Sequence, residues 1–107
     1  MAARAILTVP ASARAGEVVE VRALIQHAME TGYRLGASGE TLPRDLIRGV
    51  VCSFDGTTVF AAELHAAVAA NPYVAFFVRV ERSGTLSVSW QGDRGFAHTE
   101  AVRIDVM

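Results

Sequence analysis

The sequence predicts one all-β domain, an antiparallel sandwich of about seven strands. Three observations predict it. Apolar and polar residues alternate with a period of two over most of the chain. Turn residues punctuate those runs at about ten-residue spacing. The 107 residues are 51% apolar, which is enough for one core and one domain.

Ile6 to Val9 forms a short apolar run that ends at Pro10 and fits an edge strand. Glu17 to Gln26 places Val19, Val21, Ala23 and Ile25 on one face and Glu20, Arg22 and Gln26 on the other. Leu46 to Phe54 and Thr57 to Leu64 are rich in β-branched and aromatic residues, and Asp55-Gly56 between them reads as a tight hairpin. Tyr73 to Glu81 sets Val74, Phe76, Val78 and Val80 against Tyr73 and Phe77. Ser83-Gly84 reads as a second tight hairpin into the next run. There Leu86, Val88 and Trp90 alternate with Thr85, Ser87 and Ser89. Gly92 to Gly95 makes a longer turn into Phe96 to Val106, where Val102, Ile104 and Val106 face inward. This pattern is that of an immunoglobulin-like sandwich without the cysteine staple of antibody domains, with Trp90 as the large core aromatic. Two segments break it. His27 to Pro43 is a long polar loop with Gly32, Gly36 and Gly39, and the Ala-rich stretch His65 to Ala70 fits one helical turn.

Composition excludes several function classes. Ten basic residues face eleven acidic ones, all ten are Arg, and they are scattered rather than clustered. That is no footprint for nucleic acid. Without Lys there is no Schiff-base chemistry. No run approaches the ~20 apolar residues of a membrane span, and the N-terminal run is too short for a signal-peptide core. The expectation is therefore a soluble chain with no export signal of its own.

Candidate chemistry is sparse. Cys52, the single cysteine, lies mid-strand between Val51 and Ser53 with no neighbour to lower its pKa, so it reads as a buried small hydrophobe. His27, His65 and His98 share no metal-ligand spacing, and no cysteine pair completes a zinc site. No Gly-x-Ser-x-Gly elbow occurs, and Gly36-Ala37-Ser38-Gly39 lacks the Lys and helix of a phosphate loop. The seven Glu and four Asp fall mostly on solvent faces. No catalytic residue, metal ligand or cofactor site is expected, and the reading is a binding domain rather than an enzyme.

The densest stretch is His27-Ala28-Met29-Glu30-Thr31-Gly32-Tyr33-Arg34. Composition allows either a solvated connection or a recognition loop presenting Met29 and Tyr33 as adaptable contacts beside His27 and Arg34. Asn71-Pro72-Tyr73 offers a second exposed turn.

The same residues resemble the His-x-Met-Glu-Ser/Thr-Gly-x-Arg signature of the SoxZ family. Further matches follow in order: Ala15-Gly16-Glu17, Leu42-Pro43-Arg44 with Ile47, Cys52-Ser53-Phe54-Asp55-Gly56, Val59-Phe60, Leu64 with Ala67, Asn71-Pro72-Tyr73, and Ser83-Gly84 leading to Trp90. Gln91-Gly92-Asp93-Arg94 departs from the short acidic run usual there. The resemblance spans nearly the whole chain from about Pro10.

It implies a subunit that pairs as a heterodimer with a SoxY-like protein, whose C-terminal cysteine carries sulfur intermediates during thiosulfate oxidation. It implies transient contact with other sulfur-oxidation enzymes and a periplasmic location reached by export with the signal-bearing partner, while composition points to no membrane or nucleic-acid partner. This chain has no cysteine near Met107, so the carried sulfur is expected on the partner. The residues expected to meet partners are His27, Met29, Glu30, Tyr33 and Arg34 on the loop, with Phe60, Asn71, Tyr73 and Phe77 on an outward face. The competing readings are a small-molecule binder with a pocket near His98 and Trp90, and a self-associating structural module.

Overall fold

A computed structural model describes residues 5–65 and 70–107. Among these residues eight strands follow in chain order: β1 (Ala5–Thr8), β2 (Ser12–Ala13), β3 (Glu17–Ile25), β4 (Ile47–Phe54), β5 (Thr57–Glu63), β6 (Tyr73–Val80), β7 (Gly84–Gly92) and β8 (Ala97–Val106). They form two layers. The small sheet has the order β1-β3-β6 and the large sheet β2-β8-β7-β4-β5. This is an immunoglobulin-like β-sandwich, as the alternation predicts. All strand pairs are antiparallel except β2 with β8.

The inward phase of each strand builds one core. Val19, Val21, Ala23 and Ile25 of β3 face Leu86, Val88 and Trp90 of β7, with Ile104 of β8 and Val50 and Cys52 of β4. Trp90 is 1% exposed. Burying ~200 Å² of indole at about 25 cal/mol per Å² makes it worth roughly 5 kcal/mol, an upper estimate. Ile47 and Val50 are both buried although strict alternation places them on opposite faces. A register shift between Ile47 and Gly49 in the β4–β7 pair explains this, because a bulge resets the phase.

The Asp55-Gly56 hairpin forms as read, with φ of 49° and 86°, the left-handed pair that a tight two-residue turn requires. Ser83-Gly84 does not make a hairpin. β6 pairs with β3 while β7 pairs with β4 and β8, so this connection crosses from one layer to the other. A Cβ at Gly84 would lie 2.6 Å from Asp55 Oδ2 and 2.7 Å from the Phe54 ring, so a larger residue there must displace those side chains. The chain also changes layer between β1 and β2, at Val9-Pro10-Ala11. The helical turn expected within His65 to Ala70 falls largely outside the described residues.

Candidate functional site

The loop after β3 is a built structure. Its root is pinned by His27 and Asn71. The His27 N–H donates to Asn71 Oδ1 at 2.9 Å, and the Asn71 N–H donates to the His27 carbonyl at 2.7 Å. Asn71 adopts φ 54°, a conformation its short polar side chain tolerates, just before Pro72 fixes the entry to β6. The His27 imidazole is 8% exposed and packs edge-to-face on Phe96, with ring centres 5.0 Å apart. Its Nδ1 accepts the Met29 N–H at 2.9 Å, which leaves the proton on Nε2. That nitrogen faces Asp45 Oδ1 at 3.7 Å, beyond hydrogen-bond range, and this buried oxygen takes no hydrogen bond among the described residues.

Met29 is the loop's apolar anchor. It is 5% exposed, sits at φ 54°, and its Sδ accepts the Ile47 N–H at 3.3 Å. The sequence expectation that Met29 is presented to a partner is therefore corrected: its thioether belongs to the core. Beyond it, Glu30 and Asp45 exchange backbone hydrogen bonds of 2.8 Å in both directions, and Leu35 bridges Thr41. Gly32, at φ 92°, lets the loop pass Arg44, whose Cβ would be 3.2 Å from a Cβ at that position. Arg34 grips Glu30 through both of its nitrogen types, and this pairing holds the Glu30 carboxyl below its ordinary range. Only Tyr33 and Leu35 at the tip stay largely exposed as big apolar groups, at 86% and 63%.

The far end of the loop is tied to the β7–β8 turn. Asp93 accepts the Leu46 N–H at 3.0 Å and the Arg48 Nε–H at 2.9 Å, and its own N–H donates to the Leu46 carbonyl. Arg48, followed by the Leu46 N–H, lowers the Asp93 pKa. The segment where the sequence departs from the SoxZ pattern thus carries the clamp on this loop.

Asn71, Tyr73 and Phe77 lie together, and the structure adds neighbours to them. Register places Ile6, Leu24 and Tyr73 in one row across the small sheet, then Thr8, Arg22 and Ala75, with Glu20 beside Phe77 and Val18 beside Arg79. These residues make the sheet's outer face. Ile6, Val18, Tyr73 and Phe77 are exposed at 60%, 48%, 57% and 68%. A shallow groove of about 220 Å³ runs between Ile6, Leu24, Gln26 and Asn71, and a second, of about 250 Å³, shares Ile6 and Leu24 with it. The apolar face therefore runs down to the pinned root of the loop. Ile6, Val18 and Leu24 were missing from the sequence expectation. Their signal was an apolar residue in the solvent phase of an alternating strand.

Phe60 does not join this surface. It stands opposite Cys52, so both point inward, and it stacks on Phe76 with centres 4.1 Å apart. Its expected outward position is corrected accordingly. Cys52 is fully buried, and burial pushes its thiol pKa up to about 11. His98 Nε2 lies 2.8 Å from Glu100 Oε1, with its ring tilted against Trp90 at 6.1 Å. Among the described residues no three His, Cys, Asp or Glu side chains gather as a metal site requires, and no helix is long and apolar enough to cross a membrane.

Comparison with known proteins supplies the family. The family model "Sulphur oxidation protein SoxZ" matches residues 7–103. The chain belongs to the SoxZ family. No curated protein matches the sequence. Among solved structures, the sulfur carrier protein SoxY from Chlorobium limicola f thiosulfatophilum is similar at a TM-score of 0.68 and 13% identity, covering 95% of this chain and 74% of that one. A superoxide reductase (neelaredoxin) from Ignicoccus hospitalis is similar at 0.75 and 18% identity, covering 96% and 79%. At such identities these likenesses show a shared fold alone. Family membership places this SoxZ-family chain among the Sox sulfur-oxidation proteins.

Proposed function

We propose that this chain is the non-catalytic subunit of a SoxYZ-type sulfur carrier, binding a SoxY-like chain whose C-terminal cysteine carries the sulfur intermediates of thiosulfate oxidation. The observation that carries this reading is the SoxZ match over residues 7–103. The outer face of the small sheet supports it. Four large apolar side chains stand exposed on that one face, the kind of surface that marks interaction sites on soluble domains.

Burial of the lone thiol supports the division of labour. A thiol held at a pKa of about 11 has almost no thiolate at neutral pH, and thiolate is what accepts or transfers sulfur. The reactive cysteine therefore belongs on the partner. The exposed loop tip, Tyr33 to Leu35, remains for transient contact with the enzymes that visit the carrier. The proposed location is the periplasm, reached by export in complex with the signal-bearing partner.

Co-expression of the tagged chain with a SoxY-like partner tests this. A stoichiometric complex surviving gel filtration is expected, and removing the partner's signal sequence should strand both chains in the cytoplasm. Absence of any complex sinks the proposal. Ligand-dependent thermal stabilisation without a partner would favour a small-molecule binder instead.

A further inference from the structure

The sandwich has four edges, and three carry devices that discourage strand addition. β1 is four residues long and is followed closely by Pro10. β2 has two residues. β5 is bulged where the pairing skips from Cys52–Phe60 to Ser53–Thr58, leaving Val59 unpaired, and it ends in Glu63. Short length, Pro, a bulge or a charge are the usual protections of an edge. β6 has none of them over its first six residues. It is eight residues long, and Tyr73-Val74-Ala75-Phe76-Phe77-Val78 contains no charge, Pro or Gly. A strand of that composition, left open, is an aggregation hazard.

Its backbone is oriented for pairing. Ile25 N–H donates to the Pro72 carbonyl in the register that continues through Ala23–Val74, Val21–Phe76 and Val19–Val78. In an antiparallel ladder these are the hydrogen-bonded pairs, so the even-numbered residues of β6 turn their amides toward β3. Tyr73, Ala75, Phe77 and Arg79 then point both N–H and C=O out of the sheet edge. In the β3–β6 register they fall at the non-hydrogen-bonded pairs, and outside the ladders none of these backbone groups has a backbone hydrogen bond among the described residues. The same four residues hold the outward side chains, so the open edge and the apolar face meet along one strand.

Area requires both. With strands about 4.8 Å apart and a rise of about 3.3 Å per residue, the 4, 9 and 8 residues of β1, β3 and β6 span about 330 Å². A stable interface takes about 800 Å² from each partner. Docking on the face alone falls short by more than half, and an added strand along β6 extends the contact past the edge.

We infer that β6 is the docking edge: the SoxY-like partner adds a strand of its own alongside Tyr73–Val80, with apolar side chains over Tyr73 and Phe77. This rests on the proposed partnership and deepens it by placing the contact. A partner of the same sandwich architecture has edge strands of its own to offer, as the fold shared with a SoxY structure indicates.

Hydrogen exchange on the assembled complex is the test. The amides of Tyr73, Ala75, Phe77 and Arg79 should slow by about a hundredfold or more on partner binding, while those of Val74, Phe76 and Val78 are already protected in the free chain. Ala75→Pro removes an outward N–H without touching the β3 ladder, and is expected to weaken the complex by about tenfold or more with an unchanged melting midpoint. Should that variant misfold, the wild-type exchange pattern decides alone. A stable complex in which the four odd amides exchange at free-chain rates overturns the edge assignment and leaves the partnership standing. Failure to form the complex overturns both. A homodimer protecting the same amides, undisplaced by the partner, overturns the choice of occupant.

Discussion

The two outer faces of the sandwich are built from strands of similar length but different chemistry. The small sheet shows solvent Ile6, Val18, Leu24, Tyr73 and Phe77, relieved by the Arg22–Glu20 pair at 2.7 Å. The large sheet shows Ser87, Ser89, Thr99, Ala101 and Ala61, with Val51 and Val59 at 39% and 40% its larger apolar groups. Ser89 and Thr99 satisfy each other across the strands at 3.0 Å. A face of small hydroxyls loses little by staying wet, whereas exposed aromatics gain by being covered. Apolar content outside the core is therefore concentrated on one side, and that side adjoins the pinned root of the His27 loop.

The sharpest way to break this contrast is to charge each face in turn. Leu24→Asp with Phe77→Asp should weaken the SoxY-like complex by about a thousandfold, since two buried interface anchors are each worth about 2 kcal/mol or more. Ser89→Asp with Thr99→Asp on the large sheet should leave affinity within about threefold. Titration calorimetry reads both. Equal losses from the two faces would abolish the distinction.

A second contrast lies within one strand. Cys52 and Val51 are neighbours on β4 that point to opposite faces, at 0% and 39% exposure. A thiol with a pKa of about 11 is about one part in a thousand thiolate at pH 8. Native Cys52 should thus react with a disulfide reagent about a hundredfold more slowly than the thiol of a Val51→Cys variant carrying Cys52→Ala. The sign of the linked stability follows. The folded chain retains a proton that the unfolded thiol gives up near pH 9, so stability falls as pH rises from about 9 toward 11. Fast labelling of native Cys52 would move it out of the core.

How much of this was legible beforehand depended on what each residue's neighbours do. Strand alternation placed Val19 to Ile25, Leu86 to Trp90 and Val74 to Val80 correctly, because period two is a local property. Phe60 was misplaced because its facing depends on a bulge beside Ser53, which local composition does not signal. The Ser83-Gly84 turn was misread because Ser-Gly fits a hairpin and a layer crossing equally well. Met29 was misjudged because its burial depends on a left-handed backbone and on the Ile47 N–H, eighteen residues away. Family resemblance supplies the proposed partner, which no spacing in the chain contains.

The Met29 anchor gives a third, somewhat smaller effect. Met29→Ala should cost about 2–3 kcal/mol in urea unfolding, toward the low end for buried Met because an exposed loop can settle into the space. If the loop root shapes the apolar face, affinity for the partner falls as well. A Tyr33→Ala variant at the exposed tip should leave stability unchanged. A stable Met29→Ala protein would mean that the loop is held by its backbone bridges alone.

The smallest expected effect concerns the clamp at the loop's other end, remote from the apolar face. Asp93→Asn keeps an oxygen for the Leu46 N–H but loses the ion pair with Arg48, so it should be milder than Asp93→Ala, which loses both. The pH dependence separates the two contributions. A carboxyl held below its ordinary range stabilises the fold above the unfolded carboxylate pKa, and that contribution is lost as pH falls through the depressed value. The wild-type melting midpoint should therefore drop more steeply below about pH 4 than that of Asp93→Asn, with the two curves running parallel near neutrality. Neither variant should alter partner affinity, because the clamp holds the side of the loop that leads into the large sheet. A loss of affinity in Asp93→Asn would show that the two faces are coupled through the loop rather than independent.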